Sequence, residues 1–166
     1  MKQLKSLLIA ALLLIAANHT MNAQAKTAHV DVAEVMSKMP AVIEGQKQLE
    51  KLNQTYAAEF KTLNDEYTAK LKKYDAESAT VTEKINQDRA AEVQDMQKRL
   101  RDYAENAQKE LQQKEADLFK PIEEKVKASI AKVGKAKGYQ YVLNSAGLLL
   151  ADGPNLTADV KKDLGF

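Results

Sequence analysis

From Leu49 onward the larger side chains recur as Leu49, Leu52, Tyr56, Phe60, Leu63, Tyr67, Leu71 and Tyr74, at steps of three and four. That spacing draws one narrow stripe along a helix, since side chains three and four apart share a face. Further on, Ile85, Met96, Ala107 and Leu118 are spaced by eleven, and so are Leu100, Leu111, Ile122 and Val133. An eleven-residue repeat has about 3.67 residues per turn and predicts a nearly straight helix pair rather than a left-handed supercoil. Between the stripes the chain is polar, and apart from Gly45 it holds no glycine from Pro40 until Gly134. The pattern predicts long helices with little core of their own.

The turnaround is predicted at 76–82, where Ser78-Ala79-Thr80-Val81-Thr82 gathers residues of low helix propensity. Thr80 followed by Glu83 matches a capping box. A single unbroken helix of about 150 Å is the alternative. The hairpin is preferred because it lets the flanking β-like segments find each other. Each arm would be about 60 Å long, and with few buried contacts its tip should be looser than its base. Pro121 predicts a bend near Asp117–Pro121. The helix should then continue through Ile122, Val126, Ile130 and Val133 and stop near Gly134–Gly138.

The flanks alternate. Ala28, Val30 and Val32 against His29 and Asp31 predict a strand over 27–32, and 139–143 and 148–151 predict two more, joined by a turn at 144–147. Asp31 with Glu34 is a second capping-box match, and Thr157 is expected to cap a last helix carrying Val160 and Leu164. Without its arms this part has only about 60 residues, which is marginal for an independent core. Its strand edges invite pairing between chains, so self-association is expected.

Composition adds a compartment. Lys2 and Lys5 precede the apolar run Leu7–Ala17, and Ala23-Gln24-Ala25 follows. This is the order of a secretory signal peptide over 1–25, with cleavage near Ala23–Ala25. The apolar run spans about 16 Å as helix, too short for a hydrocarbon layer of about 30 Å. The mature chain would contain no cysteine, which excludes disulfides and thiolate metal sites. Losing Lys2 and Lys5 reduces Lys plus Arg from 25 to 23, against 23 Asp plus Glu. Nucleic-acid binding therefore lacks a basic excess.

No phosphate loop, HExxH or GxSxG motif is present, and neither catalytic residues nor cofactors are expected. His29, the one histidine left after cleavage, is read as a satisfied strand residue. Carboxylates such as Glu50 and Glu59 lie on solvated helices with no pocket to shift them. Tyr56, Tyr67 and Tyr74 are read as seam. Pairs such as Glu66–Lys70, Glu105–Lys109 and Glu110–Lys114 are expected to support the helices at i,i+4.

Taken together, 28–35 (Ala-His-Val-Asp-Val-Ala-Glu-Val), Met39-Pro40, 138–145 (Gly-Tyr-Gln-Tyr-Val-Leu-Asn-Ser), 148–151 and 155–160 around a charged hairpin resemble the Skp/OmpH family of periplasmic chaperones. The resemblance spans essentially the whole mature chain. It implies an α+β fold, a long α-helical coiled-coil hairpin or tentacle projecting from a small β-rich trimerisation body. Residues 26–43 and 126–166 would form the body and 44–125 the arm. It also implies a jellyfish-shaped homotrimer whose tentacles hold unfolded outer-membrane β-barrel proteins without nucleotide or metal. Val30, Val32, Tyr141, Leu143, Leu148 and Leu150 would be the assembly positions, and client contacts would be diffuse along 44–125. Localisation would be periplasmic, with membrane association at most peripheral. The alternative is an envelope coiled-coil spacer or scaffold that binds folded partners. One departure stands out: the best-known family form has basic tentacles, whereas 44–125 here carries 15 basic and 18 acidic side chains. Lipopolysaccharide binding is therefore not carried over.

Overall fold

The computed structural model describes residues 26–166, so the expected signal peptide lies outside the described residues. The elements in chain order are β1 (Thr27–Val30), α1 (Val32–Lys38), α2 (Pro40–Glu77), α3 (Glu83–Ala136), β2 (Tyr141–Asn144), a 3₁₀ turn (Ser145–Gly147) and α4 (Thr157–Leu164). Long helices and a small two-stranded sheet make this an α+β fold built on a helical hairpin. The described chain divides into two compact units, a terminal unit of 26–35 with 127–166 and a hairpin unit of 36–126.

In the terminal unit, β1 and β2 pair in parallel, with Ala28 opposite Val142 and Val30 opposite Asn144. The other edge of β1 is also occupied: the His29 amide donates to Pro154 O (2.9 Å) and the Leu156 amide donates to His29 O (2.8 Å). His29 is thus a buried strand residue. The strand ends two residues earlier than predicted, because Asp31 starts a helix: its Oδ1 accepts from the Glu34 amide at 2.8 Å. Val32 is therefore the first residue of α1. The expected reciprocal half of this capping box is displaced, since the Asp31 amide donates to Thr157 Oγ1 at 2.9 Å. Glu34 instead accepts from Lys161 Nζ at 2.7 Å. Thr157, so employed, does not cap α4; Asn155 Oδ1 accepts the Thr157 amide.

The strand predicted over 148–151 does not form in this chain. A strand needs a partner for its amides and carbonyls; both edges of β1 are taken, and the outer edge of β2 stays unpaired among the described residues. Asn144 and the 3₁₀ turn also redirect the chain, with Asn144 Oδ1 accepting from the Ala146 amide. The core of this unit is Ala28, Val30, Val35, Val133, Leu156 and Val160. Gly134 brings β2 against α3, since a Cβ there would stand 2.7 Å from Val142 Cγ2. α3 ends close to its predicted stop, and Gly138 follows at φ 75.

In the hairpin unit, α2 starts with Pro40 in its first turn, where a missing N–H costs nothing. The reversal occupies 78–82, within the predicted turn, but Thr82 is its cap. Thr82 Oγ1 accepts from the Ile85 amide (3.4 Å), while Thr80 Oγ1 donates back to Glu77 O (2.8 Å). α3 runs as one assigned helix through Pro121. The proline leaves Asp117 O without its ladder donor.

Candidate functional site

No group of three or more metal-ligating side chains gathers among the described residues, and no described helix is long and apolar enough to cross a membrane. Two surfaces remain.

The first is the hairpin. Its predicted seam residues Leu49, Leu52, Tyr56, Leu63, Tyr67 and Tyr74 are half-buried, and from 46 to 125 no residue is fully buried. Phe60 and Leu71, read as seam from their spacing, are 39% and 37% exposed. Ile85, first of its eleven-residue series, is exposed as well. At the base, Gly45 lies against Phe119, whose Cε1 would be 3.3 Å from an added Cβ.

Register along the seam is written in polar rungs. Tyr56 donates to Glu110, and Tyr103 donates to Glu59 at 2.7 Å, a crossed pair whose rings meet edge-on at 6.2 Å. Gln97 donates to the Tyr67 hydroxyl. Lys70 and Tyr74 both donate to Glu92. Arg89 pairs with Glu77 and lies 4.6 Å over the Tyr74 ring, and Asn86 Nδ2 donates to Ser78 O across the turn at 2.9 Å. The tip is therefore stitched by polar links rather than apolar ones.

These bonds correct two sequence expectations. Lys70 reaches across to Glu92 instead of back to Glu66, and Glu110 serves Tyr56. Exposed i,i+4 pairs occur elsewhere, at Lys61–Asp65 and Lys98–Asp102. Glu59 is an acceptor in the seam. Sequence spacing could have found these rungs, because each pair sums to about 164, the constant expected of one antiparallel register.

The rungs shift their groups in consistent directions. Loss of hydration and the Glu59 hydrogen bond push Tyr103 up to about 12. Hydrogen bonds to Glu110 and to Glu92 raise Tyr56 and Tyr74 respectively. Glu92 is held below its ordinary value by the Lys70 hydrogen bond first and the Tyr74 bond second.

The second surface is on the terminal unit. β2 presents Tyr141 (59% exposed) and Leu143 on one face, and past the 3₁₀ turn Leu149 and Leu150 are 109% and 75% exposed. Of the six assembly candidates, Tyr141, Leu143 and Leu150 lie on this apolar surface, and Val32 and Leu148 are half-buried. Val30 is 1% exposed and belongs to the chain's own core. Leu149 was not among the candidates, and it is the most exposed of all. In the same unit α4 is tied to α3 by polar contacts, with Asp163 accepting from Ser129 (2.8 Å) and Lys132 (2.6 Å). Those two hydrogen bonds lower the Asp163 carboxyl, the lysine's the more. Behind β2, Lys127, Ile130, Ala131, Gly134, Tyr139 and Val142 border an open groove of about 320 Å³.

A search of curated proteins returns no match to this sequence. Among solved structures, a crystal structure described as an OmpH-like outer membrane chaperone from Caulobacter crescentus CB15 shares the fold. The TM-score is 0.75 at 17% identity, over 86% of this chain and 85% of that one. A profile of the family described as outer membrane protein (OmpH-like) matches residues 26–164. With nearly all of its described residues covered by that match, the chain belongs to the OmpH-like family.

Proposed function

We propose that this protein is an ATP-independent holdase chaperone of the periplasm. As a homotrimer it encloses unfolded outer-membrane β-barrel proteins and keeps them from aggregating before insertion. The observation that carries this reading is the hairpin itself: residues 46–125 are ordered helix and turn with no fully buried residue. Such a stretch has no core to maintain and no pocket to form, but it offers a long surface. An unfolded barrel precursor exposes strand edges and lipid-facing apolar positions that associate in water. Several weak contacts made together hold such a chain by avidity, without a rigid site.

Trimer formation is assigned to the apolar surface of the terminal unit, namely Tyr141, Leu143, Leu149 and Leu150. Leu148 has extended backbone (φ -105, ψ 133), and 148–151 would complete the predicted strand by straightening at Leu149 once a neighbouring chain supplies an edge. Export by the signal peptide over 1–25 supplies the compartment. Membership of the OmpH-like family and the fold shared with the Caulobacter protein support the reading.

The test is light scattering from a β-barrel outer-membrane protein diluted out of denaturant, with sedimentation of the mature protein alongside. Suppressed scattering without ATP at one trimer per client is expected. Unchanged scattering at severalfold excess contradicts the proposal.

A further inference from the structure

The rungs of the hairpin are not evenly distributed around it. With 100° between successive helical residues, Glu59, Glu66, Lys70, Lys73 and Glu77 of α2 fall on one side of the seam. The rungs from Tyr103, Glu92 and Arg89 arrive on that same side. Glu66 and Arg99 line a shared crevice with Leu63, Met96 and Leu100, which places Arg99 there too. The opposite flank reads differently. On α2 between 53 and 71 it holds Asn53, Ala57, Phe60, Asn64 and Leu71, and on α3 Val93, Gln97, Ala104, Gln108 and Leu111, none of them charged; Glu50 and Asp75 bound the stretch on α2. Gln97 donates to Tyr67 from this side, and Asn53 and Leu111 border one cleft there with Glu50 and Glu115 at its end. Asn53, Ala57, Asn64, Gln97, Ala104 and Gln108 are all exposed.

Phe60 and Leu71 stand on this uncharged flank, and their exposure follows from it. They are eleven residues apart and so nearly in line along the helix. Both are rotated off the seam, where packing against the facing helix would have covered them.

We propose that the uncharged flank is the surface on which the client lies, with Phe60 and Leu71 as its apolar contacts and the Asn and Gln side chains as its hydrogen-bonding ones. This rests on the holdase reading and adds which side of the arm is used. The occupant is an unfolded barrel polypeptide, whose membrane-spanning strands alternate apolar and polar residues. Such a chain has few charges to match the opposite flank. Against fixed ions it would strip their hydration without repaying it. Against amides and small residues it loses little, and its unpaired backbone groups find donors and acceptors. The charged flank, where Lys70 pairs with Glu92 and Arg89 with Glu77 across the helices, is left to water.

The experiment places a photocrosslinking amino acid in the full mature protein at Asn64 or Ala104, or on the other side at Glu66 or Asp95, and adds an unfolded β-barrel client. Crosslinks from Asn64 and Ala104 severalfold above those from Glu66 and Asp95 are expected. Equal yields from both flanks overturn this inference and leave the holdase intact. No crosslink from any position, together with unsuppressed client aggregation, overturns both. A second arm uses Phe60→Ser with Leu71→Ser. Helix content and sedimentation should be unchanged and client suppression severalfold weaker, and undiminished suppression by that folded variant also overturns the inference.

Discussion

The terminal unit and the hairpin unit solve opposite problems with the same chain. The first gathers six apolar residues into a core from two segments far apart in sequence. The second buries Met39, Val42 and Val126 near its ends and runs from 46 to 125 without fully burying a residue. Apolar burial stabilises in proportion to area removed from water, so the first can be cooperative and rigid. Polar links on half-exposed seams contribute far less, because water competes for the same groups. A holdase whose arms meet many sequences, as proposed, would gain from that difference. Under the proposed function, stability is concentrated where assembly would occur, and adaptable surface where clients would be met.

The comparison breaks hardest at Leu156, which is 2% exposed. Leu156→Ala should cost about 2–5 kcal/mol, seen as a large fall in the denaturant midpoint, with loss of the proposed trimer. Gly134→Ala comes next. Its Cβ would meet Val142 at 2.7 Å, and overpacking of this kind costs about 1–3 kcal/mol. Native mass spectrometry should show weakened assembly, while the helical signal of the hairpin persists.

Smaller effects sharpen the contrast within the hairpin. Tyr56→Phe with Tyr103→Phe removes the crossed rungs. Amide exchange near 56–59 and 103–110 should quicken with no change in the denaturant midpoint of the terminal unit. pH separates the units on the alkaline side. A raised tyrosine value means that the rung contributes fully below the ordinary 10.0 and is lost as pH climbs toward about 12. Helix content should fall in that window, along with a delayed tyrosinate absorbance that Tyr103→Phe abolishes. Acid does not discriminate, because Glu92 and Asp163 are both lowered. Each contributes above its ordinary value and is lost as pH falls below it. The smallest effect is at Gly45→Ala. Gaining about 1 kcal/mol of helix propensity against a 3.3 Å approach to the half-buried Phe119 ring, it should leave thermal stability nearly unchanged or slightly raised.

Local chemistry was the legible part of the fold. Periodicity located both long helices, the low-propensity cluster located the turn, and alternation located β1 and part of β2. What misled was competition between equivalent groups. Thr80 and Thr82 both offered a hydroxyl, and the one adjacent to α3 became the cap. Thr157 was read as a local cap but is spent on Asp31, 126 residues away in sequence. The 148–151 segment has strand composition, but both edges of β1 are taken and it does not join the open edge of β2. Phe60 and Leu71 fit the seam spacing, yet a small rotation about the helix leaves them in water. The cross-helix rungs were hidden because helical i,i+4 rules look along one element and not across two.

Hydrogen exchange on the mature protein, with and without an unfolded β-barrel client, tests the central claim most directly. Without client, amides of 46–125 should exchange faster than those of β1, 133–136 and α4. Adding client should slow exchange in the hairpin and leave the terminal unit unchanged. Equal protection in both units, or client protection confined to the terminal unit, would contradict the account.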